Sequence, residues 1–484
     1  MAPRHVPGRL PWPRFPGWGT NGRPGASLSD PVLSGGSPAW AGRTRGRLEE
    51  LEESRLAPWA LRSAGATRRH GIDPEGRTFD FRTEFQRDRD RIVHSRAFRR
   101  LRQKTQVYLP DRSDHFRNRL IHTLEVAGLA RTLARALALN EDLTEGIALG
   151  HDLGHSAFGH AGESVLNGVL TGSIPVRGVD PAVARRCGGF KHNYQSLRVV
   201  DLLEIRYRHP GLDLTDAVRE GILKHTALRS DVSYPDLNRE GLALDMAPAL
   251  EAQVVALADE IAQQVHDLDD GIQDGVVELA EVESLGIVQE VVSKLAGSWA
   301  GRGRFHRVNL INRGIVHLLV TSAAIQTAAR IGEWAEREGV TSPGEFTERR
   351  RSLPAGLVQL SPPVRGLFGQ LKKFVYRRVI QSFAVHRSDA RARQVFLDLL
   401  TAYHADPLLL EDHVLLRVKE KTGGRFLRDL SPAAVPEEIR AHFRSNPIFL
   451  RLLADHLAGM TDTFALAEHE RLHRAGVSPA APRD

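Results

Sequence analysis

The chain has 484 residues, 41% of them hydrophobic and 26% charged, with a formal net charge of +7. These are the values expected of a globular protein long enough for one large domain or two to three smaller ones. A single cysteine, Cys187, excludes an internal disulfide and a thiolate metal cage and suits a reducing cytoplasm. No run of eighteen apolar residues announces a membrane span, and no apolar signal core follows the N-terminal arginines. The positive charge fits an arginine-preferring composition or an anionic partner such as a nucleotide or nucleic acid.

Residues 1–42 contain eight prolines and eight glycines, with Trp12, Trp18 and Trp40 at no regular spacing. That composition predicts a disordered tail, or sequence upstream of the true start. No Met lies between Met1 and Met246, so another start would need a non-AUG codon.

From Arg43 the pattern turns helical: LEELEESRL, then the basic FQRDRDRIVHSRAFRRLRQKTQV, then RLIHTLEVAGLARTLARALAL with Leu120, Leu124, Leu129 and Leu133 among its apolar positions. Asn140 is a good N-cap for the next helix, with Glu141 and Asp142 in its first turn, and that helix runs into His151. SLRVVDLLEIRYR, TDAVREGILKHTAL and APALEAQVVALADEIAQQVHDL also read as helices. A Gly/Arg-rich break at 297–304 precedes further helical patterns to the end. Alternating strand patterns are scarce and no repeat is found, so the fold class is all-α. The expected organisation is a tail at 1–42, a catalytic helical region at 43–275 with its compact heart at about 115–275, and C-terminal helices at 276–484 packed on it.

The densest chemistry is GHDLGHSAFGHAGE, residues 150–163, which places three histidines, an aspartate and a glutamate in fourteen residues. His122 lies 29 residues before His151, and Asp259 lies 107 residues after Asp152. Two histidines and two carboxylates hold a divalent metal and leave positions open for water and substrate. On one helix His151 and Asp152 would project about 100° apart, so a shared metal would sit between them, completed by His122 and Asp259 from other helices. HDLGH also shares the i, i+4 histidines of the zinc-protease pattern HExxH. Asp152 is one methylene shorter than the glutamate that pattern requires, and Gly154 interrupts the helix.

His155 follows one turn later. His160 and Glu163 are three apart, a spacing at which a carboxylate can orient an imidazole and raise its pKa. His192, in GGFKHNYQS, is a further candidate. Arg119, three residues before His122, would face the metal, and Lys372 and Lys373 could meet a polyphosphate or form a solvated basic face. His225 and His266 carry no assignment from sequence.

Taken in order, these segments resemble the HD-domain superfamily of metal-dependent phosphohydrolases, and within it the deoxyguanosinetriphosphate triphosphohydrolase family. The likeness spans about residues 45–484: FQRDRDRIVHSRAFRRLRQKTQV, RNRLIHTLEVAGLAR, GHDLGHSAFGHAGE, GGFKHNYQSLRVV, EGILKH, ADEIAQQVHDLDDG and LLADHLAGMTDTFAL follow one another in family order. The resemblance implies a helical HD fold with additional C-terminal helices, and hydrolysis of a dNTP to deoxynucleoside and inorganic triphosphate. It implies one divalent metal ion (Mg, Mn, Fe, Co, Ni or Zn) on His122, His151, Asp152 and Asp259. His160 and Glu163 become the catalytic pair, with His155 and His192 lining the phosphates, Arg119 contacting phosphate, and Gln103 and Asp267 near the sugar. A dNTP activator, single-stranded DNA and a second copy of the chain are further partners the resemblance suggests. Two departures stand out. Gln263 occupies a position where relatives usually carry tyrosine, and IQSFAVHR replaces a usual Tyr-Arg-His run. Competing functions are an HD phosphohydrolase for another nucleotide and a nucleic-acid-binding regulator with a vestigial site.

Overall fold

The computed structural model describes residues 44–71, 81–106, 117–235, 237, 239–295, 299 and 301–473; the tail expected at 1–42 lies outside them. Among the described residues there is no strand, only three isolated bridges, such as that between Thr105 and Asn118. The helices that build the site are α1 (Glu84–Val93), α2 (Arg119–Ala136), α3 (Glu141–Gly150), α4 (Gly159–Leu170), α5 (His192–Arg198), α6 (Asp216–Lys224) and α7 (Leu250–Gln273). Beyond them come α8 (Arg304–Glu338), α9 (Pro362–Val375), α10 (Phe383–Ala405), α11 (Pro447–Gly459) and α12 (Asp462–His473).

Helix starts follow local chemistry. Asn118 caps α2 by accepting from the Ile121 amide, and Asn140 caps α3 by accepting from Leu143, with Glu141 and Asp142 in the first turn as expected. The leucines of α2 divide: Leu133 is fully buried, and Leu120 and Leu129 pack against the core half-buried. Leu124 is 48% exposed, whereas His122, Ala127, Ala130 and Ala134 are buried. Small residues on this face let α7 approach α2 closely. The helix expected over SLRVVDLLEIRYR ends at Leu203, after a five-residue π-helical turn. Glu204 then leaves the helix and accepts from the backbone amides of Arg96 and Ala97.

The apolar interior falls into two clusters. One gathers α2, α3, α6, α7, α8 and α9. The other joins α4 to α10, α11 and α12. The described residues from Thr44 onward form one unit, and both clusters cross the division expected at 275/276. Helix α4 is the crossing point: it follows the HDLGH turn in sequence but packs on α10 and α11.

Helix α8 is, by length and composition alone, long and apolar enough to cross a membrane. Its buried residues Ile311, Ile315, Leu319, Ala323, Thr327 and Ile331 recur every four residues as a single stripe. Arg313 and His317 lie on its exposed side. The stripe packs on α7, so the apolar content is that of a helix with one face in a protein core.

Candidate functional site

Helix α3 ends at Gly150, and His151 to Gly154 form a turn rather than a continuation of the helix. A close approach shapes this turn. A Cβ on Gly154 would lie 2.1 Å from the Ser196 amide nitrogen and 2.3 Å from the His192 carbonyl. Only glycine lets the turn rest on α5. The Gly154 N–H donates to Ser196 Oγ, whose hydroxyl donates to the His151 carbonyl. From below, buried Lys104 Nζ donates to the carbonyls of His155 and Ala458.

Three ligand atoms converge here. His122 Nε2 is 3.0 Å from Asp259 Oδ1, and His151 Nε2 is 3.7 Å from the same oxygen. Asp152 turns Oδ1 toward His151 Nε2 at 3.3 Å and toward His155 Nε2 at 3.2 Å, and its Oδ2 accepts from Arg119 Nη1 at 2.9 Å. His151 Nδ1 donates to the Ala148 carbonyl, which leaves Nε2 as the lone-pair nitrogen; that atom is buried and makes no hydrogen bond. An orphaned imidazole nitrogen facing two carboxylates, its ring held from behind by a carbonyl, is a donor set built for a cation. In the free protein burial opposes a charge on His151, but Asp152 and Asp259 outweigh it and push the imidazole up to about 9. Burial likewise opposes charge on Asp152 and Asp259, yet the neighbouring histidines hold both carboxyls well below the usual range. A divalent ion would replace these protons.

A second imidazole group lies beside the first. His155 and His192 stack, ring centroids 4.0 Å apart, and the His160 centroid is 5.4 Å from that of His155. Glu163 stands within 4.8 Å of a ring nitrogen of His160, the partner expected for it, but its hydrogen bond goes to another imidazole. Its carboxylate bonds His192 Nδ1 at 2.8 Å and stands 3.9 Å from His155 Nδ1. His160 lies on the exposed side of α4, while α5 delivers His192 to the carboxylate. The His160 imidazole is lowered, not raised, first by desolvation and then by Arg119, with Glu163 opposing. It is accessible to solvent yet surrounded by protein, as a group lining a cleft is.

The start of α4 is strained. Phe158 adopts φ +61°, a left-handed conformation costly for a bulky side chain. It is held there by its N–H, which donates to Asp462 Oδ1, and by its ring against Phe396. Asp462 also accepts from the Thr105 amide and hydroxyl. The head of α12 thereby braces the segment that presents His160.

The remaining expected residues divide. Arg119 is buried beside Asp152, with Nε and Nη2 unpartnered. Asp267 is buried on α7, and burial followed by the Asp270 charge raises its carboxyl well above the usual range. Gln103 turns outward and accepts from Thr463 at 3.4 Å. Gln106, three residues on, is instead buried with an unpartnered Oε1. Lys372 reaches the helix of Asp259 but is ion-paired to Glu260 at 2.5 Å, both half-exposed. Two histidines carried no assignment from sequence. His266 Nδ1 is 3.3 Å from His122 Nδ1, and the His225 ring lies 5.2 Å from that of His151. His266 follows Asp259 by seven residues, two turns on one helix face, a spacing that would have marked it. A cavity of about 620 Å³ lies on the far side of the Leu153–Gly154 turn, lined by Arg96, Arg100 and Arg417 among others, away from the converging imidazoles.

A helical scaffold that brings a His-Asp turn against a histidine of one helix and an aspartate of another defines an HD-domain protein, and residues 119–263 match the HD domain model. Residues 358–430 match the phosphohydrolase-associated domain. The chain is 38% identical over 421 residues to a deoxyguanosinetriphosphate triphosphohydrolase-like protein of Ralstonia nicotianae, covering 87% of this chain and 95% of that protein. It is 39% identical over 422 residues to one of the same description from an Azoarcus species, covering 87% and 97%. The chain belongs to the deoxyguanosinetriphosphate triphosphohydrolase-like family of HD-domain phosphohydrolases.

Proposed function

We propose that this enzyme hydrolyses a deoxynucleoside triphosphate, with dGTP the first candidate, to the deoxynucleoside and inorganic triphosphate. The observation that carries this reading is the juxtaposition of a cation-ready set, His122, His151 and Asp259 with Asp152 beside His151, with a separate imidazole group around Glu163. One group suits a divalent metal and the other suits proton transfer and phosphate binding.

His122, His151 and Asp259 would hold the metal with Asp152 beside them, and the bound ion would polarise a phosphate and acidify water. Water attacks the α-phosphorus, the bond from phosphorus to the 5′-oxygen breaks, and that oxygen takes up a proton as it leaves. His160, at the mouth of α4, is the donor. Its basicity is lowered in the free protein by burial and Arg119; an incoming polyanion reverses that field and favours the imidazolium. His192 and His155, steadied by Glu163, line the phosphate path. The unpartnered Nε and Nη2 of Arg119 supply donors to phosphate without loosening Asp152. Asp267, whose carboxyl is raised by burial and by the Asp270 charge, would donate to a sugar hydroxyl in its protonated form.

The test is a screen of the four dNTPs, alone and mixed, with Mg2+ and with Mn2+, in which both phosphorus products and nucleoside are read. Release of intact triphosphate with deoxynucleoside supports the reading. Release of phosphate or pyrophosphate, or turnover confined to other nucleotides, overturns it.

A further inference from the structure

A second group of metal-ligating side chains lies outside the HD centre, on the seam between α10 and α12. Asp398 of α10 faces His469 of α12, and His473 follows one turn on. The candidate ligand atoms of the three residues all lie within 4.8 Å of one another. His469 Nε2 is 2.9 Å from Asp398 Oδ2. Two ligands about 2.1 Å from one ion at angles of 90–110° stand roughly 3.0–3.5 Å apart, so little movement is needed to admit an ion.

The surrounding hydrogen bonds suit this use. His473 Nδ1 donates to the His469 carbonyl at 2.9 Å, which fixes the tautomer and leaves Nε2 as a lone-pair nitrogen. The other carboxylate oxygen of Asp398 accepts from Gln394 at 2.8 Å, which orients the carboxylate. The two rings stack with centroids 4.4 Å apart. A backbone carbonyl behind one imidazole and an amide behind the carboxylate are the supports that metal ligands receive. An i, i+4 histidine pair with one carboxylate favours imidazole-seeking ions such as Zn2+, Co2+ or Ni2+ over Mg2+.

We propose that Asp398, His469 and His473 form a second, peripheral transition-metal site that clamps α12 onto α10. Its position gives it a consequence. The other end of α12 carries Asp462, which holds the Phe158 amide at the head of the helix bearing His160, and α10 packs on that same helix. An ion on the seam therefore tightens both neighbours of the strained segment. The site stands independently of the substrate assigned to the HD centre.

The test is Zn2+ binding by chelator-stripped full-length protein, read as stoichiometry and melting temperature in the wild type, Asp152→Ala, His473→Ala and the double variant. Among the described residues His473 is exposed and its hydrogen bond stays within its own helix, so its replacement leaves the fold in place. The expected result is two equivalents in the wild type, one in each single variant and none in the double. In the Asp152→Ala background, His473→Ala should weaken the remaining Zn2+ by more than about 100-fold, beyond the usual effect of losing a supporting residue. Zn2+ should raise the melting temperature of Asp152→Ala but not of the double variant. His473→Ala that keeps the wild-type stoichiometry, or Asp152→Ala that binds no Zn2+ while melting cooperatively, overturns the proposal.

Discussion

Replacing Gly154 with alanine tests how the fold builds the centre. The added Cβ meets three backbone atoms of α5, at 2.1, 2.3 and 2.5 Å, and no rotamer change relieves a clash with backbone. Reaching ordinary contact of about 3.5 Å requires the turn and helix to separate by roughly 1 Å or more. That movement breaks the bonds from Gly154 to Ser196 and from Ser196 to His151. Overpacking costs about 1–3 kcal/mol and two hydrogen bonds about 1 kcal/mol each, so a loss of roughly 3–5 kcal/mol is expected. A displacement of that size at His151 should also cut turnover by about 100-fold. The control is Gly128→Ala on α2, where nothing lies within 4 Å of the new Cβ; it should be neutral or stabilising by about 0.5–1 kcal/mol. Denaturant unfolding, metal content and dNTP turnover on both variants decide the matter. Wild-type stability and turnover in Gly154→Ala would show that the turn does not depend on this contact.

Asp152→Ala should lose bound metal and turnover together, and because it strands buried Arg119 it should cost about 3–5 kcal/mol; full metal occupancy in the purified variant would refute the ligand role. His160→Ala should keep its metal and lose about 10²–10⁴ in turnover, whereas Glu163→Gln should show a smaller loss and disturb His192 first, visible as a changed imidazole resonance. Near-normal turnover of metal-loaded His160→Ala would move the proton donor to His155 or His192. His456 is held near 3 by burial, then by His413 and Arg100. A depressed folded value contributes stability above the unfolded pKa of about 6.5, lost as pH falls from there toward 3. His456→Gln should therefore flatten the fall in stability between pH 6.5 and 4.5, and an unchanged slope would contradict the assignment.

Much of the site was legible because its signals are local. The Asn140 cap, the glycine-punctuated HDLGH turn and the Asp259 helix each declare themselves within a few residues, and their order along the chain carried the family resemblance. Local signals left the partners incomplete. The spacing of His160 and Glu163 permitted a pair and the two lie within 4.8 Å, but only the fold adds His192 to that carboxylate. Of the apolar positions of α2, Leu133 is buried but Leu124 is exposed, and the alanines between them line the face that meets α7. Gln103, which the resemblance alone put near the sugar, is exposed and accepts from Thr463.

What the sequence determined by itself was composition, helical periodicity and the identity of the side chains available to hold a cation. What only the tertiary structure decided was which of them meet. Residues on separate helices share an ion or a proton according to crossing geometry to within an ångström. That geometry is set by packing across two apolar cores, by the glycine contact at α5 and by Asp462 holding Phe158 in a left-handed conformation. These are contacts between segments up to 304 residues apart, and no periodicity along the chain encodes them.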